Sequence, residues 1–194
     1  MIVYGFDSGL RSFGWAVAEF GLRPGAQEVG PIFVAGGVWH TEPDKDAPRK
    51  GVDQARRTTD LWRELVAIRR IFGDGAAVCV EALAFPSGKI QYSVVSGLGR
   101  ARALVDVFGS EMSARVYEAL TTEVKQAVTS NRSASKEEVG EKLEERFPEV
   151  KALWPKLKGD REHFADACAS IVACQAFAFP YLKERYLQSM ESPF

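Results

Sequence analysis

Ile2 to Phe6 is a short apolar run with β-branched and aromatic members, and Phe13 to Phe20 is a second. Gly9 to Ser12 between them has turn chemistry, so the pair predicts a hairpin. A third strand is expected within Pro31 to His40, where Ile32, Phe33, Val34, Val38 and Trp39 cluster. Thr41 to Gly51 is rich in Pro, Asp and Lys and reads as an exposed loop. From Asp53 to Phe72 the residues Leu61, Leu65, Ile68 and Phe72 recur at helical spacing, with Arg and Glu on the other face. That pattern predicts an amphipathic helix. Gly73, Asp74 and Gly75 end it. The continuous apolar run Ala76 to Val80, closed by Glu81, is then typical of a strand buried on both faces.

Tyr92 to Phe108 predicts a second helix, unusual for the small residues Gly97, Gly99, Ala101 and Ala103 along it. Small side chains allow close approach, either of the helix's own sheet or of a second copy of the chain. Ala114 to Tyr117 is a short strand, and Thr121 or Thr122 can cap a helix reaching about Val128. After a polar link, Thr129 to Ala134, Ser135 and Glu138 form a capping box for another helix that Pro148 closes. The last helix is expected from His163 to Phe179, with Pro180 ending it and residues 180–194 as a tail. Strands first, then alternating helices and strands, point to one α/β domain over residues 1–179 with a mixed five-stranded sheet flanked by helices.

Composition narrows the function classes. With 194 residues and 46% hydrophobic side chains, the chain can bury an ordinary core without staples, and disorder is excluded. Its 25 basic and 26 acidic residues give a formal charge of −1. That rules out nucleic-acid binding by bulk charge but leaves room for a local basic groove. Three cysteines, Cys79, Cys168 and Cys174, and two distant histidines exclude a zinc finger. Cys168 and Cys174 read as core packing, and His40 reads as a strand-end surface residue. No apolar run reaches membrane-spanning length, and an acid meets the first apolar stretch at Asp7, so a cytoplasmic protein with no membrane partner is expected.

Three carboxylates interrupt otherwise apolar elements. Asp7 ends the first strand, Glu81 ends the buried one, and Asp166 is the lone charged side chain between His163 and Lys183. Open α/β sheets place their sites beyond the carboxyl ends of the strands, so Asp7 and Glu81 converge if their strands are parallel neighbours. His163 and Asp166 are three apart and share a helix face. Buried carboxylates that repel one another need a cation to stay ionised, and oxygen ligands suit Mg²⁺ or Mn²⁺. Two such ions would stabilise the attacking and leaving oxygens of phosphoryl transfer.

The stretch Gly5 Phe6 Asp7 Ser8 Gly9 Leu10 Arg11 Ser12 Phe13 Gly14 Trp15 Ala16 Val17 resembles the first motif of the RuvC family of Holliday junction resolvases. Val80 Glu81 resembles its second acidic motif, Thr122 to Thr129 the segment before a basic loop, and His163 Phe164 Ala165 Asp166 Ala167 Cys168 Ala169 its terminal motif. The family commonly has Pro where this chain has Ser8, and an acid or a His at the position of His163. The resemblance implies a ribonuclease H-like fold, a homodimer, and cleavage of four-way DNA junctions by paired symmetric nicks using two metal ions. Asp7, Glu81, His163 and Asp166 take the catalytic and metal-binding positions, and a branch-migration helicase is a further implied partner.

Lys89, Arg100, Arg102, Lys125, Arg132 and Lys136 flank the acid-bearing segments and are the candidate phosphate contacts. Phe85, in a turn-rich loop just past Glu81, is the candidate wedge that stacks on an unpaired base at the branch point. Other readings remain open: a flap or single-strand nuclease of the same fold, an inert junction binder, or a nucleotide-binding domain of the actin and sugar-kinase type. The last normally needs two such domains and a second glycine-rich phosphate loop, neither of which is evident here.

Overall fold

The computed structural model describes residues 1–22, 29–83 and 91–191. Its strands are β1 (Ile2–Asp7), β2 (Ser12–Leu22), β3 (Val29–His40), β4 (Ala77–Glu81) and β5 (Arg115–Ala119). The helices are α1 (Lys50–Phe72), α2 (Tyr92–Glu111), α3 (Thr121–Thr129), α4 (Lys136–Arg146), α5 (Val150–Leu153) and α6 (Lys158–Glu191). They form one mixed sheet in the order β3-β2-β1-β4-β5. The β1–β2 pair is antiparallel, as the hairpin pattern predicts, and β2–β3 is antiparallel too, whereas β4 lies parallel to both β1 and β5.

Because side chains alternate along a strand, β1 serves two cores. Tyr4 and Phe6 join a cluster with Leu61, Leu65, Ile68, Leu104, Val105 and Phe108 from α1 and α2. Val3 points the other way, into a cluster built with α3, α4 and α6. β4 divides likewise, Val78 and Val80 on the first face, Ala77 and Cys79 on the second. All three cysteines are buried.

The last helix exceeds its expected bounds at both ends. α6 begins five residues before His163 and runs through Pro180 to Glu191. A proline costs a helix one hydrogen bond, but here tertiary packing outweighs it. Leu182 is buried in the α6-side core, and the Arg115 guanidinium lies 4.2 Å from the centroid of the Tyr181 ring. On α2, Gly97 is interior, where an added Cβ would stand 3.3 Å from Leu10 Cδ2, while Gly99 faces open space. Among the described residues no helix is long and apolar enough to cross a membrane.

Candidate active site

The site begins with the strand register. Phe6 pairs with Val80 across the parallel β1–β4 ladder, so the residues that follow, Asp7 and Glu81, leave the sheet side by side. Alternation puts both on the face that α6 covers. That face is paved with glycine where the helix crosses it. A Cβ on Gly5 would stand 2.3 Å from the Ala167 carbonyl oxygen, and one on Gly14 2.1 Å from that of His163. One on Gly36 would stand 2.2 Å from Cε2 of Phe164. Glycine inside a strand marks a close backbone approach, and here three adjacent strands supply it to one helix.

Close docking delivers the α6 side chains to the strand ends. His163 Nδ1 lies 2.6 Å from Asp7 Oδ2, and Asp166 is one turn further along. Glu81 Oε1 accepts a hydrogen bond from Thr121 Oγ1. The expected Thr121 or Thr122 cap is therefore displaced: Leu120 occupies the cap position, and the Thr121 hydroxyl is given to Glu81. Lys136, the first residue of α4, pairs with Glu162 and places Nζ 4.0 Å from Asp166 Oδ2. Asp7, Glu81, Lys136, Glu162, His163 and Asp166 all line one open cavity of about 310 Å³.

Charge is unbalanced there. Burial, then repulsion from Asp7 and Glu81, pushes the Asp166 carboxyl up to about 7. Glu81 is raised by burial, against the Thr121 hydrogen bond and with the help of Asp7. His163 is raised chiefly by its hydrogen bond to Asp7. Burial works against the Lys136 ammonium, yet the Glu162 bond and the Asp166 charge raise it above the ordinary lysine range.

Among the described residues no three His, Cys, Asp or Glu side chains are gathered into a ready cation cage. The acids line one cavity rather than one coordination sphere, and a cation would have to draw them inward. The donor chemistry fits a hard divalent ion all the same: four carboxylates line one cavity, with the proton affinity of Glu81 raised by burial and by Asp7, and that of Asp166 by burial, Asp7 and Glu81. The bond to Asp7 uses Nδ1 of His163, which leaves Nε2 as the ring nitrogen for a cation or a water.

The basic candidates separate in space. Lys136 is inside the cavity, and half-buried Lys125 is near enough to oppose the upward shift of Glu81. Arg100 and Arg132 are exposed. Arg102 is committed elsewhere: only 16% exposed, it pairs with Glu118 at 2.8 Å and Asp106 at 3.2 Å, clipping α2 to β5. Phe85 and Lys89 lie outside the described residues. Sequence reading missed Thr121, Glu162 and the glycine paving. The glycines were readable in principle, since Gly5 and Gly14 interrupt apolar strands beside Asp7.

No protein-family model matches the chain, and no curated protein matches it. Solved structures do. Thermus thermophilus RuvC in complex with a Holliday junction substrate superposes with a TM-score of 0.70 at 25% identity, over 92% of this chain and 94% of that one. The chain has the RuvC resolvase fold. A second Thermus thermophilus RuvC structure gives 0.66 at 24% identity, over 93% of this chain and 96% of that one. The yeast mitochondrial Holliday junction resolvase Ydc2 gives 0.61 at 11% identity, over 88% and 76%. The RuvC likeness thus spans nearly the whole of both chains, and this chain shares the α/β, ribonuclease H-like sheet of those neighbours.

Proposed function

We propose that the chain is a homodimeric, divalent-metal-dependent endonuclease that resolves four-way DNA junctions by paired symmetric nicks. The observation that carries this reading is the convergence of Asp7, Glu81, His163 and Asp166 on one cavity at the carboxyl end of β1 and β4, within a RuvC fold. Asp7, Glu81 and Asp166 would hold two Mg²⁺ ions, for which Mn²⁺ can substitute. Such ions activate a water and stabilise the leaving oxygen of a phosphodiester. Asp7 fixes the His163 ring through Nδ1, so that Nε2 can take up or orient the attacking water. Thr121 holds one oxygen of Glu81 and presents the other to the cavity. Lys136 offsets acidic charge and offers an ammonium to the scissile phosphate.

Lys125, Arg100 and Arg132, with Lys89, would contact the phosphate backbone, and Phe85 would act as the stacking wedge at the branch point. Two coordinated nicks need two sites at fixed separation, which an isologous dimer provides. The outer face of α2 suits that interface. Tyr92 is 85% and Val95 36% exposed, and Gly99 and Ala103 continue the same exposed face.

The test is incubation of purified protein with labelled four-way junction, flap and linear duplex, each with Mg²⁺, Mn²⁺ or EDTA. Cation-dependent incision of the junction at paired positions is expected, with the duplex spared. Cutting of flaps alone, or incision in EDTA, would overturn the proposal.

A further inference from the structure

His40 does more than end a strand. It pairs across the ladder with Ser12, the first residue of β2. Its Nδ1 stands 3.3 Å from Ser12 Oγ, and its Nε2 stands 3.0 Å from Asp160 Oδ1. One neutral tautomer satisfies both bonds: Nε2–H donates to Asp160, while Nδ1 accepts from the Ser12 hydroxyl. Asp160, with its side chain 17% exposed, lies in the first turn of α6, three residues before His163. The trio has the residue types of a hydrolase triad, but the imidazole is 42% exposed. Water screens it, and it braces rather than activates.

The brace answers a need that the glycine contacts leave unmet. Gly14 and Gly36 set how near α6 approaches the sheet, yet packing against a flat glycine surface does not fix rotation about the helix axis. With its side chains a helix is about 10–12 Å across, so a rotation about its axis displaces side-chain tips more than backbone. The His163–Asp7 bond of 2.6 Å tolerates little of that. Asp160 and Phe164 are four apart and share one helix face. Phe164 packs over Gly36 of β3, and Asp160 takes a directional bond from the end of the same strand.

We infer that His40 is a positioning residue: with Asp160 it sets the rotation of the first α6 turn and thereby holds the His163 ring against Asp7. The inference rests on the nuclease reading only for its effect on rate. It is tested with His40→Ala, Asp160→Ala, the double variant and His40→Gln, whose amide can still donate to Asp160. Single-turnover cleavage of a four-way junction should fall roughly ten- to a hundred-fold in each single variant, with junction affinity unchanged. The double variant should be no slower than the slower single one, and His40→Gln should recover most of the rate.

A second readout does not depend on activity. The chain has two histidines, so His40→Ala and His40→Gln leave the imidazole of His163 alone in the NMR spectrum. In His40→Ala its ring proton bonded to Asp7 should lose its downfield position, and in His40→Gln keep it. Lower thermal stability with unchanged rate and unchanged His163 signal would overturn the inference, as would additive rate losses. A wild-type protein without nuclease activity, but with the expected change in signal, would refute the nuclease reading and leave the positioning role standing.

Discussion

The two faces of the sheet are built on opposite principles, although the same strands supply both. Toward α1 and α2 the side chains are large: the Tyr4, Phe6 and Phe108 rings meet edge to face at centroid distances of 5.1 and 5.7 Å, and Phe13 packs 5.5 Å from Phe6. Toward α6 that face also carries Val3, Phe20 and Phe33, but where the helix crosses β1 and β2 the side chains give way to glycine and backbone nearly touches backbone. Bulk on one side buries apolar area and tolerates some repacking. Its absence on the other fixes the helix at one distance and brings four polar side chains to one cavity. Burial on both faces supplies stability, while the glycine contacts on the second face supply positional accuracy.

The hardest blow to this division falls on the strand ends themselves. Asp7→Asn and Glu81→Gln should each abolish cleavage while junction binding stays within a few-fold, since each removes an anion from the proposed metal site and no positive charge. Appreciable Mg²⁺-dependent nicking by either variant would show that the carboxylates are not the site.

One step down, Gly14→Val and Phe108→Ala should fail in different ways. Valine at Gly14 collides with the His163 backbone carbonyl, which no side-chain rotation can relieve. Cleavage should fall by roughly a hundred-fold or more, with a stability loss of about 1–3 kcal/mol. Phe108→Ala should cost about 3–5 kcal/mol of stability yet retain its rate per folded molecule. Denaturant melts beside single-turnover assays check both, and a Gly14→Val enzyme of normal rate would erase the contrast between the faces.

How far the sequence carried this picture follows from the same contrast. Strand alternation, the amphipathic α1 and the acids closing apolar runs are local signals, so Asp7, Glu81, His163 and Asp166 could be picked out and the sheet outlined. Pairings between distant segments left no such trace. His40 and Asp160 are 120 residues apart, and the hydroxyl of Thr121 reads equally as a cap or as a partner for Glu81. Small residues on α2 carry the same close-packing signal as those of β1, β2 and β3, where glycine sets the helix approach. Pro180 gave a clear local stop that distant packing by Tyr181 and Leu182 overrides.

A gentler probe uses pH. The Asp166 carboxyl is raised to about 7, so the folded protein holds that proton more tightly than the unfolded chain. Stability from this group is complete below the ordinary aspartate value and is lost as pH rises toward and through 7. His163, also raised, acts in the same direction from the ordinary histidine value upward. Metal-free protein should therefore melt at a lower temperature at pH 8 than at pH 5.5, and added Mg²⁺ should raise the melting temperature more at pH 8. Asp166→Asn should flatten both trends, and an unchanged slope in that variant would place the charge imbalance elsewhere.

The smallest effects are expected among the basic residues. Lys125→Ala should weaken junction binding a few-fold and reduce its salt dependence by about one phosphate contact. Arg102→Ala should leave the salt dependence alone and lower stability, because its partners are Asp106 and Glu118. Equal salt slopes in the two variants would return Arg102 to the DNA surface.

The central claim, that this face of the sheet builds a junction-resolving nuclease, is tested most directly with a supercoiled plasmid that extrudes a cruciform. Wild-type protein with Mg²⁺ should convert it to linear DNA by two nicks placed symmetrically across the four-way junction, and Asp7→Asn should leave it supercoiled. Nicked circles without linear product, or linear DNA formed equally by the variant, would contradict the account.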